Sequence, residues 1–374
     1  MTESELYYLA GKCLVLEERP EFKHQLIQLC KNDLIDWITF IKICSENLVL
    51  PAIYLKLRAQ KIFDYMPEEV VEHLSEIYEL NKKRNIEILH QIKSITALLK
   101  AENIVPLYMK GAGNLLDDIY SDVGERVMGD IDFLVPEQDF LTAAVAMLDA
   151  GYLSWSDTTK ITIRDHQHYP RIYHPDFVAD VELHRIPNEY KCDNWFNAKM
   201  VLDEKKRAGK DGGCFVESDK HKIIHNFIHS QLDHQGFSLG KVLLRDIYDV
   251  YLTSRRISLN DLLPEIKTKK KAIAYFAFTD LVFGAERQIF HKQNFAFQTL
   301  KTKRDLNLNS NIFYKTNKAL VVGYTNIRYQ KGYFGMFIEA FHSKEMRQFI
   351  FHKLTSRSFY RKHFKKVQSE LSDE

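Results

Sequence analysis

The stretch Arg126-Val127-Met128-Gly129-Asp130-Ile131-Asp132-Phe133-Leu134-Val135 constrains this chain more than any other. In a strand successive side chains alternate between faces, so Asp130 and Asp132 share one face while Ile131, Phe133 and Val135 share the other. The apolar side asks for a packed layer. The acidic side holds two carboxylates that repel one another unless a cation lies between them. A solvated turn or a helix cap would also accommodate such a pair, so the reading depends on a second strand of the same kind. Val178-Ala179-Asp180-Val181-Glu182-Leu183-His184 has that pattern, with Ala179, Val181 and Leu183 toward a core and Asp180, Glu182 and His184 opposite. Were the two strands neighbours, Glu182 or Asp180 would supply a third carboxylate. Hard oxygen ligands of this kind suit Mg²⁺ or Mn²⁺, which keep some waters and take further ligands from substrate phosphates. An ordinary sheet with one solvated face is the alternative.

Around these strands the periodicity divides the chain. Residues 1–102 carry apolar positions three and four apart, such as Trp37, Phe40, Ile41 and Cys44, then Ile88, Ile92, Ile95 and Leu99, the period of packed amphipathic helices. Pro67-Glu68-Glu69 marks a helix start, and that helix is expected to run to about Ala101. Residues 103–187 change character: Ile104–Met109, Ile131–Val135, Tyr152–Trp155, Ile161–Ile163 and Phe177–Leu183 are strand candidates, and Glu137–Ala150 a helix between them. Lys110-Gly111-Ala112-Gly113 reads as a flexible strand-to-helix turn whose glycines admit a phosphate to backbone N–H groups. A plain connecting turn has the same composition. The helical period returns from about Glu217, so 188–292 is expected to be a C-terminal helical region, and 293–374 is irregular, aromatic and basic. The expected fold is α+β, a small mixed sheet flanked by N- and C-terminal helical regions.

Composition removes several classes of function. No apolar run approaches the ~20 residues of a membrane-spanning helix, and MTESELYYLA lacks a basic-then-apolar leader, so a cytoplasmic protein with no membrane partner is expected. The five cysteines include no CxxC pair, which argues against a disulfide framework or a structural zinc site. His221, His225 and His229 form a stripe on a helix, but the HExxH signature is missing, so hydrogen bonding or lining of a cleft is the expected role. Residues 291–374 hold 16 Lys/Arg against 6 Asp/Glu, leaving 36 against 44 for the remainder. With Tyr329, Tyr333, Phe359 and Tyr360 interleaved, this tail suits either an RNA surface or a solvated face docked on the acidic body.

Taken together, Lys110-Gly111, Arg126 ahead of Gly129-Asp130-Ile131-Asp132-Phe133, and Val181-Glu182-Leu183-His184 resemble the polymerase-β-like nucleotidyltransferase superfamily. Within it they look like the poorly characterised bacterial branch, over about residues 75–255, and His225, His229 and Asp246 in Leu243-Leu244-Arg245-Asp246-Ile247 resemble that branch's helical segment. The resemblance implies an Mg²⁺- or Mn²⁺-dependent transfer of NMP from an NTP to an acceptor, with release of pyrophosphate. By position, Asp130, Asp132 and Glu182 would be the catalytic, metal-binding carboxylates, and Lys110, Gly111, Arg126, Gly129, Arg245 and Asp246 would bind nucleotide. Lys110 and Arg126 would lie near the triphosphate, Arg126 as a bidentate partner. The acceptor is left open between RNA or tRNA, protein and small molecule. Two positions depart from the superfamily pattern: Ala112 follows the first glycine where serine or glycine is usual, and glutamate replaces aspartate at 182. The alternative is an inactive nucleotide- or RNA-binding module on the same fold.

Overall fold

The computed structural model describes residues 1–155, 167–188, 192–209, 213–284 and 295–325. The Ile161–Ile163 strand candidate and the tail beyond residue 325 lie outside them. Met1–Asn311 form one compact unit and Ile312–Glu374 a second, in which residues 312–325 are helical.

The first unit begins with helices α1 (Glu3–Cys13), α2 (Pro20–Lys31), α3 (Trp37–Glu46), α4 (Leu50–Ala59) and α5 (Glu68–Ala101). Thr2 starts α1 with a capping box closed by Glu5, and Pro67 precedes α5, whose first turn carries Glu68 and Glu69. There follow β1 (Leu107–Tyr108), α6 (Lys110–Leu116), β2 (Ile131–Leu134), α7 (Phe140–Asp149), β3 (Leu153–Ser154), β4 (Ile172–Tyr173) and β5 (Val181–His184). Next come α8 (Ala198–Asp203), β6 (Lys206–Arg207), β7 (Phe215–Val216), α9 (Asp219–Phe227), α10 (Gly236–Leu239), α11 (Leu244–Thr253), α12 (Leu259–Leu262), α13 (Lys269–Phe283) and α14 (Phe295–Asn309).

The fold is α+β. Seven short strands form one mixed sheet in the order β3-β4-β5-β2-β1-β7-β6, with β2 parallel to β5, β1 parallel to β7 and the other pairs antiparallel. Its apolar residues, including Ile131, Phe133, Val181 and Leu183, share a core with Ile88, Ile92, Ile95 and Leu99 of α5 and with Phe140 and Met147 of α7. Val70, Leu74 and Tyr78, from the first half of α5, belong instead to a second core that joins the early helices to α9, α11 and α13. α13 begins on exposed Lys269 and Lys270 and then runs through the core, with Tyr275, Phe276, Phe278 and Phe283 out of solvent. Tyr7 Oη donates to the Val242 carbonyl at 3.0 Å, and Ser4 Oγ to Asp305 at 2.9 Å, so the chain's first helix is built into its last ones.

Three local expectations change. Lys110-Gly111-Ala112-Gly113 is the first turn of α6 rather than a flexible turn. Lys110 takes a left-handed φ of 49°, turning the chain from strand to helix in one residue, and Gly113 N donates to Met109 O at 3.0 Å. A Cβ at Gly113 would lie 2.6 Å from the Tyr108 carbonyl, so this glycine lets helix pack against strand. The basic, aromatic stretch that opens the tail is helical over Phe295–Asn309, where Phe297, Leu300 and Arg304 recur at helical spacing as its buried stripe. Finally, the histidine stripe does not ride one regular helix: after His221 and His225 in α9, the chain widens into a π-helical turn over Ile228–Asp233 that carries His229. No helix among the described residues is long and apolar enough to cross a membrane.

Candidate active site

The parallel register of β2 and β5 sets Asp132 directly beside Glu182. Asp132 is buried and Asp130, one residue before the strand, is partly exposed. The N–H of Ile131 donates to the Asp180 carbonyl at 2.9 Å, which locks the two acidic segments edge to edge. One oxygen each of Asp132 and Glu182 and one ring nitrogen of His184 lie within 4.8 Å of one another. His184 Nε2 is 2.9 Å from Asp132 Oδ1 and 3.5 Å from Glu182 Oε2.

Two cations from the chain balance this cluster. Lys110 Nζ donates to Asp132 Oδ1 at 2.6 Å, carried there by the left-handed junction at the start of α6. Arg171, from just before β4, donates from Nη2 to Asp130 Oδ2 at 2.9 Å and to Glu182 Oε1 at 2.6 Å, and so bridges two carboxylates. Burial opposes the charge on Asp132, but Lys110 and His184 outweigh it and hold its pKa well below the ordinary range. Glu182 is likewise held low against its burial, by His184 and Lys110. Asp130 moves the other way: burial raises its pKa, and the neighbouring charges of Asp132 and Glu182 raise it further. Neighbouring carboxylates pushed apart in this way mark a site where proton affinity is differentiated.

These groups line a cavity of about 350 Å³. His225, His229 and His234 line the same cavity, with Arg245 and Asp246. His225 Nδ1 lies 2.8 Å from Glu217 Oε1, and burial drives the pKa of His229 well below that of free histidine, which leaves its ring neutral. Arg245 spends its fork on the neighbouring Asp246, with Nη2 3.1 Å from Oδ1.

Every candidate from the sequence therefore borders this cavity: Lys110, Gly111, Arg126, Gly129, Asp130, Asp132, Glu182, Arg245 and Asp246. Their tasks in the structure are unequal. The Arg126 fork is closed on buried Asp249, with Nη2 2.9 Å from Oδ2. Gly111 makes room for that arginine, since a Cβ there would lie 2.3 Å from Arg126 Nη1. Sequence reasoning placed His184 on the acidic face without assigning it to the site, and it missed Arg171, Glu217 and Asp249. Arg171 had one faint signal, the alternation of Arg171, Ile172 and Tyr173. Asp249 had none, because a single aspartate on an amphipathic helix reads as solvated.

A family model described as uncharacterised nucleotidyltransferase matches residues 33–283, about two thirds of the chain. The chain belongs to this family. The nucleotidyltransferase match runs from just before α3 to the end of α13 and so takes in every residue of the cavity described above. A search of curated proteins returns no match.

Proposed function

We propose that the chain transfers a nucleoside monophosphate from an NTP to an acceptor nucleophile, with Mg²⁺ or Mn²⁺, releasing pyrophosphate. The observation that carries this reading is the register that brings Asp132 against Glu182, with His184 and Lys110 both on Asp132 Oδ1. The donor set fits a divalent cation: two carboxylates and an imidazole converge, and a third carboxylate, Asp130, is joined to Glu182 through Arg171. Asp130, Asp132 and Glu182, with His184 beside them, would hold the ion, which when bound would polarise the α-phosphate and offset charge on the triphosphate. The chain's own groups account for the rest. Lys110, at the start of α6, would neutralise charge growing on the leaving pyrophosphate. Arg245 and Asp246 border the same cavity and would contact the nucleotide, with Arg126 and Gly111 shaping the wall between. In the reaction the acceptor oxygen bonds to the α-phosphorus as the α–β anhydride bond breaks, its electron pair leaving with pyrophosphate. A carboxylate on the acidic face takes the acceptor's proton, a role in which Glu182 would serve as general base if it is not the third ligand.

The test incubates the full chain with each α-labelled NTP, Mg²⁺ or Mn²⁺, and cell lysate later separated into RNA, protein and small molecules. Label in one fraction, absent with the double variant Asp130→Asn/Asp132→Asn, is the expected result and names the acceptor class. Nucleotide binding with neither label transfer nor pyrophosphate in either metal would replace transfer with a binding role.

A further inference from the structure

Beyond the carboxylates the acidic face of the sheet continues into an aromatic pair. In the antiparallel register of β3 and β4, Leu153 lies opposite Tyr173 and Ser154 opposite Ile172. Trp155 is therefore opposite Arg171, to whose carbonyl its N–H donates at 3.1 Å. Ile172 pairs with Val181, which sets Arg171 against Glu182 in the next strand. One row thus crosses the face as Trp155, Arg171, Glu182 and Asp132, and a second as Leu153, Tyr173, Asp180 and Asp130. The rings of Trp155 and Tyr173 lie 4.5 Å apart, inclined by 36°. Trp155 is 64% exposed and Leu153 47% exposed. An open tryptophan braced by a tyrosine on a catalytic face is apolar area held ready for a flat partner.

The order across the face says which partner. Lys110, on Asp132, would mark the pyrophosphate end on the transfer reading, and the aromatic pair lies the other way along the sheet, past Glu182 and Arg171. Two strand spacings, about 10 Å, separate the backbone at Trp155 from that at Glu182. What docks there approaches from the acceptor's side, with Arg171, its side chain 46% exposed, between the rings and the carboxylates. A nucleotide unit supplies both matching parts: a planar base for the rings and a phosphate for Arg171 Nη1, whose nearest carboxylate oxygen, Asp180 Oδ2, is 3.9 Å away while Nε and Nη2 hold Glu182 and Asp130.

We propose that Trp155 and Tyr173 form a stacking platform for a nucleobase of a nucleic-acid acceptor. The assignment of that base to the acceptor rests on the transfer reading above, but its test does not depend on turnover. A fluorescein-labelled oligoadenylate RNA of eight nucleotides is titrated with the full chain and followed by anisotropy, and Mg·ATP binding is measured separately by calorimetry. Trp155→Ala should weaken the RNA by about tenfold or more, the loss expected for one stacked base. Trp155→Phe should bind RNA within about threefold of the unaltered chain while losing RNA-dependent quenching of tryptophan emission, and neither variant should change Mg·ATP affinity by more than about twofold. RNA affinity untouched by Trp155→Ala, or no RNA binding at all, overturns the platform. A loss confined to Mg·ATP overturns the acceptor assignment, because the ring would then hold the base of the incoming nucleotide. All three outcomes leave label transfer from NTP standing or falling on its own test.

Discussion

Glu217 shows how much the interior of the cavity depends on single charged groups. It is buried at the end of β7, with His225 at 2.8 Å, and although burial opposes its charge, the imidazole outweighs that and holds its pKa below the usual 4.5. A carboxylate with a depressed folded-state pKa contributes stability that is fully present above the unfolded value and is lost as pH falls through the folded one. Unfolding in urea should therefore show the unaltered chain ahead of Glu217→Gln at pH 7, and the gap should close as pH is lowered below about 4.5. A gap that stays constant down to pH 3 would contradict that origin. Legibility at this scale follows side-chain parity. Asp130, Asp132 and Glu182 could be found because alternation along a strand is written in the local sequence. Arg171 acts across strands and Glu217 on the helices α6 and α9, and only tertiary packing tells a buried Glu217 from a solvated one.

At the scale of elements, α5 is the best example of a long period read correctly and understood incompletely. Its limits followed from Pro67 and the apolar spacing, yet its buried face also carries Asn81, Asn85 and Gln91, which periodicity alone would set aside. Those amides grip backbone: Asn81 and Asn85 donate to the Arg126 carbonyl at 3.0 and 2.8 Å, and Gln91 holds Ala179 from both sides, donating to its carbonyl at 2.9 Å and accepting from its N–H at 3.2 Å. Arg84 adds bonds to the carbonyls of Met128 and Gly129 at 2.9 and 3.1 Å. One helix thus fixes the approach to both acidic strands. Gln91→Leu leaves the N–H and carbonyl of Ala179 without these bonds in the interior, which should cost about 1–3 kcal/mol in a denaturant titration. A change within about 0.5 kcal/mol would mean that the grip is replaced by other partners. Strands of two residues, such as β4, β6 and β7, escaped the sequence reading because two residues show no alternation. The side-by-side placement of β2 and β5, separated by 46 residues between Leu134 and Val181, is likewise a long-range fact.

Across the whole molecule, the helices before and after the sheet share one core, which joins Leu6, Tyr7 and Phe40 to Phe227, Phe276 and Phe278. Periodicity shows that both regions are helical but cannot show that they pack on each other. Tyr7 is the tie: buried, hydrogen-bonded to Val242, with the Arg304 guanidinium 4.2 Å above its ring. Tyr7→Ala should destabilise the fold by about 3–5 kcal/mol, with circular dichroism and tryptophan emission moving through a single transition at lower denaturant. Separate transitions would show that the early helices come away by themselves. The family match agrees with this arrangement, since it begins among the early helices and ends with α13.

The 34 residues of α5 span both cores, with Tyr78 in one, Ile88 in the other and the amide grips along the same rod. Each residue added to a helix turns everything after it by about 100° and advances it by about 1.5 Å. One insertion or deletion between Tyr78 and Asn81 would put the second half out of phase, swinging Asn85 and Gln91 off the backbone they hold and Ile88 off the sheet. A loop can absorb such a change in its own backbone, but α5 can change length only at its ends.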